Sequence, residues 1–390
     1  MSKIGFRIFE LFVLMRYLLC LMLCYLFHIK KDVWLISERG TDARDNGYQF
    51  YKYMKEKHPE IKIKYVISKK SADYKKIEQK DVVNYRSFGH YIYFITSKFL
   101  ISAHIMGCSP ETRLFVRLDM HNLVKVRGRN VFLQHGVIYN KDYTRDNKQR
   151  FNLDLFICGA KPEYEYLLEK SYFGNNIIKL TGLARYDNYF DNKSEKYILV
   201  MPTWRYNISE IKTIEDFAKT KYATSWNDLI NDKELIAMLE EKGLKLIFYP
   251  HYEFQKYIAA FESDSKNIII ADFEHYDVNV LLKNCSMLVT DFSSIFFDVH
   301  YMRKPVLYYQ FDDEDFRKYH HEEGWYNFRD GFGYRAVDKS EATKYLIKKI
   351  EDGFKLEEKY RERLKKCFPH YDKKNCERIY NEIKRLDDAC

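Results

Sequence analysis

Four short segments carry side chains able to do chemistry, and each follows an apolar run. Gln134, His135 and Gly136 close NVFLQHG; Thr203, Trp204 and Arg205 close YILVMPTWR; Pro250 and His251 follow LIFY; Asp291, Ser293 and Ser294 follow SMLVT. Histidine exchanges a proton near neutral pH. Arginine grips phosphate oxygens with a bidentate fork. Serine hydroxyls ahead of a helical pattern either cap the helix or hold an anion at its N-terminus. Taken singly, each segment has an ordinary structural reading: a hydrogen-bonded histidine, a helix cap, a core tryptophan, an arginine in an ion pair. Their recurrence at one kind of position shifts the balance toward phosphate chemistry. A histidine on the opposite domain then suits the role of base for an incoming hydroxyl, with Thr203, Arg205, Ser293 and Ser294 suited to hold the phosphates.

The elements that must position these residues are short strands. DVWLISE (32–38), IKIKYVIS (61–68), VVNY (82–85), KFLISAH (98–104), NVFLQHG (130–136), LDLFICG (153–159) and IIKLTG (177–182) read as buried strands, with helical patterns between several of them. A second series, YILVMPT, LKLIFYPH, NIIIADF, SMLVTDF and PVLYYQF, begins after the polar RYDNYFDNKSEK (185–196). Strands alternating with helices predict parallel sheets. Two such series predict an α/β protein with two Rossmann-like domains facing across a cleft, at 32–190 and 191–370. Residues 371–390 read as a helix packing back toward the domain junction. In open parallel sheets the chemistry lies beyond the carboxyl ends of the strands, which is where all four segments fall.

A chain of 390 residues accommodates two cores. Its net charge of +9 suits an anionic partner, but the basic residues are mixed with acids along the chain, so no nucleic-acid surface is expected. Eight cysteines (20, 24, 108, 158, 285, 367, 376, 390) form no CxxC pair and read as reduced thiols. LFVLMRYLLCLMLCYLF (11–27) is apolar, yet Arg16 leaves only 11 residues after it, fewer than the ~20 of a spanning helix. With Lys3, Arg7, Lys30 and Lys31 flanking it, residues 1–31 read as a helix lying on an anionic membrane surface; a span and a core helix are the alternatives. GxxxxGK[ST], GxGxxG after the first strand and GxSxG are absent, which argues against P-loop, dinucleotide and serine-hydrolase chemistry. The acidic DDED (312–315) reads as the first turn of a helix rather than a metal site.

WLISERGTDARDNGYQFYKYM, VFLQHGV, TGLARYD, MPTWR, FYPHYEFQKYI, VTDFSSIFFDVHYMRKPVLYYQFD and RDGFG occur in that order, and together they resemble the CDP-glycerol glycerophosphotransferase family of teichoic-acid and capsule synthesis. The resemblance spans about residues 32–385. It implies a GT-B-like fold, peripheral attachment to the cytoplasmic face of the bacterial membrane, and transfer of glycerol phosphate from CDP-glycerol to a lipid-linked saccharide or polymer acceptor, with release of CMP. By the same resemblance His135 is the base, His251 is required at the donor phosphates, and Asp291, Ser293 and Ser294 bind the donor. Gly136 and Arg185, in the HG and TGLAR motifs, are supporting positions. No cofactor and no obligatory metal are implied. CDP-ribitol as donor, a GT-B glycosyltransferase using a sugar nucleotide, and a non-catalytic scaffold are the alternatives. Gln134, Ala184 and Tyr252 depart from the pattern of relatives, and the length of the chain fits single addition better than polymerisation.

Overall fold

The computed structural model describes residues 7–140, 151–190 and 195–388. The chain forms two compact units. The first comprises the described residues of Met1–Val137, Asp142–Asn188 and His370–Cys390, and the second those of Ile138–Lys141 and Tyr189–Pro369. Residues 191–194, in the polar break where the sequence places a domain boundary, lie outside the described residues, as does Cys390.

The first unit holds a parallel seven-stranded sheet: β1 (Trp34–Ser37), β2 (Ile63–Ile67), β3 (Val82–Asn84), β4 (Phe99–Ser102), β5 (Arg129–Phe132), β6 (Leu155–Cys158) and β7 (Ile178–Leu180), in the order β3-β2-β1-β4-β5-β6-β7. The second holds a parallel six-stranded sheet: β8 (Tyr197–Val200), β9 (Lys245–Phe248), β10 (Ile268–Ile270), β11 (Met287–Thr290), β12 (Val306–Tyr309) and β13 (Tyr334–Ala336), in the order β10-β9-β8-β11-β12-β13. Every residue of β1, β4, β6, β8, β11 and β12 is buried, as parallel strands covered on both faces require. Continuous apolar runs predict twelve of the strands. The thirteenth, β13, is three residues long with Arg335 at its centre, too short and polar to stand out. The strand order reverses at β1/β4 and at β8/β11, the points where ligands bind in sheets of this topology.

Helix α1 (Ile8–Leu26) shows why an apolar segment carries an arginine. Val13, Tyr17, Cys20 and Cys24, spaced four, three and four apart, are buried in the core of the first unit beside α3 (Phe88–Thr96). The Tyr17 ring meets Phe115 edge-on at 5.1 Å. Its hydroxyl donates to the Lys125 carbonyl at 2.8 Å. Arg16 turns back onto the protein, its guanidinium over Tyr91 and donating to the Arg86 carbonyl at 3.3 Å. Ile8, Phe12, Met15, Leu18, Leu19 and Met22 stay exposed on the other side. By length and composition α1 could cross a membrane, but one of its faces belongs to a protein core.

The helix Asn375–Asp388 belongs to the first unit, anchored by the Asn375 and Cys376 backbone N–H groups, which donate to Asp187 at 2.9 and 2.8 Å. Gly182 lets it approach: its φ is +80°, and a Cβ there would lie 2.1 Å from Asn375 Oδ1. The seven cysteines among the described residues are all buried.

Candidate active site

In the first unit the site begins where β5 ends. Gln134 adopts a left-handed φ of +62°, a conformation costing a non-glycine residue roughly 1–2 kcal/mol. Two buried contacts hold it there: its carbonyl accepts from the Asn46 amide at 2.7 Å, and its own amide donates to Glu163 at 2.9 Å. The turn throws the next side chain outward, so His135 is 70% exposed. The left-handed residue is thus Gln134, not Gly136, which simply follows in a half-buried position.

His135 Nδ1 is hydrogen-bonded to Asp45 Oδ2. Asp45 is the N-cap of helix α2 (Asn46–Lys57), and its other oxygen, Oδ1, accepts from Arg185 at 2.7 Å. The same Arg185 nitrogen donates to the His135 carbonyl at 2.7 Å, and the Arg185 backbone N–H donates to the Asn46 side chain at 2.9 Å. Burial alone would raise the Asp45 pKa, but the Arg185 guanidinium and His135 outweigh it and hold the carboxyl well below the usual range. Beside them, the His104 ring lies 4.9 Å from that of His135. Burial, reinforced by His135 and Arg39, pushes His104 down to about 3. Glu38, buried past β1, is shifted the other way: desolvation and the Asp45 charge raise its carboxyl well above the normal range.

In the second unit the residues line the carboxyl ends of three adjacent strands. Thr203 and Arg205 follow β8, His251 follows β9, and Asp291, Ser293 and Ser294 follow β11. Asp291 spans the β8/β11 reversal, accepting from the Thr203 backbone N–H at 2.8 Å and from Arg205 at 2.7 Å. Arg205 is 3% exposed. Its Nε–H and one terminal N–H reach Asp312 at 2.8 and 2.9 Å, and its remaining donors reach the Thr203 and Trp204 carbonyls. The expectation that Arg205 grips phosphate is therefore corrected: all its donors are spent on the protein, and it acts as a buried strut. Asp291 is fully buried, its oxygens taken up by Thr203, Arg205 and the Phe292 N–H. Asp312 belongs to the acidic first turn of the helix Asp313–Tyr319, as the sequence predicts for DDED.

His251 caps the 3-10 run Tyr252–Ala260, its Nδ1 accepting from the Glu253 N–H at 3.2 Å. That bond fixes the neutral tautomer with the proton on Nε2. Burial lowers its pKa against the pull of Glu253 and Asp291, so it stays neutral and presents Nε2–H as a donor. The Trp204 ring is stacked on it at 6.2 Å. Thr203 Oγ1 is buried with no hydrogen-bond partner among the described residues. Ser293 and Ser294 are half-buried, and the helix Phe296–Tyr301 starts only after them, with Ile295 at its N-cap and no side-chain cap. Of the two readings the sequence offers for the serines, capping does not hold: their backbone carbonyls accept from Phe296 and Phe297, and among the described residues no hydrogen bond engages their hydroxyls.

The predicted residues thus form two groups, His135, Gly136 and Arg185 in one unit and Thr203, Arg205, His251, Asp291, Ser293 and Ser294 in the other. Asp45, Asn46 and His104 escape sequence reasoning, and Asp312 is read there only as part of an acidic helix start. Asp45 sits in the quoted ARDNG run, where an aspartate before a helix is sufficiently explained as a cap.

The family described as CDP-glycerol:poly(glycerophosphate) glycerophosphotransferase matches this chain over residues 18–385. The minor teichoic acid biosynthesis protein GgaB of Bacillus subtilis (strain 168) is 32% identical over 372 residues, covering 92% of this chain and 40% of GgaB. The chain therefore spans about two-fifths of that relative's length. The teichoic acid poly(glycerol phosphate) polymerase of Bacillus spizizenii is 32% identical over 126 residues, 32% of this chain and 29% of the polymerase. The solved structure of the wall teichoic acid polymerase TagF matches with a TM-score of 0.68 at 17% identity, covering 98% of this chain and all of that one, which bears out the GT-B-like α/β class. The chain belongs to the CDP-glycerol:poly(glycerophosphate) glycerophosphotransferase family.

Proposed function

We propose that the chain transfers glycerol phosphate from CDP-glycerol to a hydroxyl of a lipid-linked acceptor in teichoic acid or capsule synthesis, releasing CMP. The observation that carries this reading is His135, an exposed imidazole at the carboxyl end of β5 in a member of this family. The acceptor oxygen attacks the β-phosphorus as its proton passes to His135 Nε2. The bond from the β-phosphorus to the bridging oxygen breaks, and CMP leaves with that oxygen. His251 Nε2–H and the Ser293 and Ser294 hydroxyls donate to the phosphate oxygens, while Arg205 and Asp291 hold the loops that carry them. Positioning and charge stabilisation supply most of the acceleration in such transfers.

The reading needs no resident cofactor. Asp45, His104 and His135 offer nitrogen and oxygen atoms within 4.8 Å of one another, but Arg185 already brings a positive charge 2.7 Å from Asp45. The exposed face of α1 supports attachment to the cytoplasmic leaflet without a span, because the opposite face is committed to the protein core. Mass spectrometry of a lipid-linked acceptor after incubation with CDP-glycerol tests the reaction. A gain of glycerol-phosphate units supports it; an acceptor that gains a sugar from a sugar nucleotide instead refutes it.

A further inference from the structure

We propose that Asp45 is the positioning residue of the base: it holds the proton of His135 on Nδ1 and thereby leaves Nε2 as the lone pair that receives the acceptor's proton. This inference rests on the reading of His135 as that base.

An exposed histidine touching a carboxylate is often only a surface ion pair of little consequence. Three features set this one apart. Asp45 is largely buried, with its side chain 14% exposed, so its carboxylate is not free to reorient into solvent. Its two oxygens are divided between different partners, Oδ2 to His135 and Oδ1 to Arg185, and Oδ1 also accepts from the Asn46 N–H at 2.8 Å. The backbone on either side of His135 is tied to the same assembly. Asn46 holds the Gln134 carbonyl and Arg185 holds the His135 carbonyl, each at 2.7 Å. Imidazole, carboxylate and guanidinium are therefore fixed by one network drawn from the ends of β1, β5 and β7. A carboxylate can only accept at Nδ1, so the neutral ring must carry its proton there, and Nε2 is the basic atom.

Among the described residues, the charged and titratable groups that face His135 are Asp45, Arg185 and the neutral His104; Arg39 acts on His104, and Glu38, with Asp42 beside it, acts on Asp45. Of these, Asp45 alone is bonded to the His135 ring. An amide in its place reverses the arrangement: Asn donates to Nδ1, Nε2 takes the proton, and the base is lost at every pH. The same exchange of tautomer accounts for large losses in Asp–His–nucleophile enzymes.

Asp45→Asn keeps the size of the side chain and an oxygen for the α2 cap. The expected result is a fall in kcat for CMP release of roughly 10²–10⁴-fold, with KM for CDP-glycerol little changed and no recovery at alkaline pH. In a His135→Ala background the same substitution should cost almost nothing further, because the two residues act as a unit. Near-normal kcat in Asp45→Asn beside an inactive His135→Ala would overturn the role of Asp45 and leave the base standing. Equal losses from Asp45→Asn in both backgrounds would mark it as merely structural and overturn the inference as well. Normal turnover in His135→Ala would remove the base reading itself. Should Asp45→Asn fail to fold, 15N NMR of the wild-type imidazoles decides, with the His135 signals assigned by their absence in His135→Ala. Protonated Nδ1 with bare Nε2 is the predicted tautomer; the reverse tautomer refutes the proposal.

Discussion

Arg205 and Asp291 meet at 2.7 Å with side chains 4% and 0% exposed, and Asp312 closes the other side of the guanidinium. Removing one partner of a buried ion pair leaves an uncompensated charge, which costs about 3–5 kcal/mol. Arg205→Ala should therefore destabilise the protein by about that amount in urea unfolding. A variant of native stability whose only defect is weak donor binding would return Arg205 to the phosphates.

Ser293 and Ser294 predict the opposite pattern. Their hydroxyls make no hydrogen bond among the described residues, so Ser293→Ala and Ser294→Ala should leave stability within about 0.5 kcal/mol of the parent. If the hydroxyls donate to charged phosphates, each loss should cost about 1.5–3 kcal/mol in kcat/KM for CDP-glycerol, roughly 10–100-fold. Steady-state kinetics beside thermal melts check both halves.

Two histidines lie in the protein core in neutral form. Burial pushes His90 down to about 4 and His300 down to about 3. Their values in the unfolded chain are near 6.5, so below that pH the unfolded state binds protons that the folded state refuses. These groups thus withdraw stability as pH falls from about 6.5 toward 4 and have no effect above it. The raised folded pKa of Glu38 works in the reverse sense, withdrawing stability as pH rises. The test is the difference between parent and variant. His90→Asn should flatten the loss of unfolding free energy over that window by up to about 1.4 kcal/mol per pH unit. Parallel curves for the two proteins would contradict the assignment.

The two faces of α1 should respond differently to substitution. Met15→Glu with Leu19→Glu should abolish flotation with anionic vesicles while leaving the melting temperature near its parent value, since both residues are exposed. Tyr17→Ala, at a fully buried site, should instead destabilise the first unit by about 3–5 kcal/mol. Vesicle binding that survives the double substitution would place the membrane contact elsewhere.

The sheets are legible in the sequence because a parallel strand buried on both faces must be an unbroken apolar run, as in FLIS or MLVT, and the position of His135 and His251 just beyond the carboxyl ends of such runs is legible with them. What the sequence leaves ambiguous is what each side chain faces. An arginine after a strand looks the same whether it meets a ligand or, as Arg205 does, carboxylates 86 and 107 residues away. Asp45 is hidden for a related reason: its local role as a helix cap is complete in itself, and only folding brings it to residues 90 and 140 positions later. The serines mislead by one turn, since the helix after them starts at Phe296 and leaves their hydroxyls uncommitted.

The central claim is tested most directly by CMP release from the detergent-purified protein, offered CDP-glycerol and CDP-ribitol separately with a lipid-linked acceptor pool, with His135→Ala alongside. The account predicts acceptor-dependent CMP release from CDP-glycerol that falls by roughly 10²–10⁴-fold in the variant. Release from CDP-glycerol that is equally fast without His135, or release from CDP-ribitol alone, would contradict it.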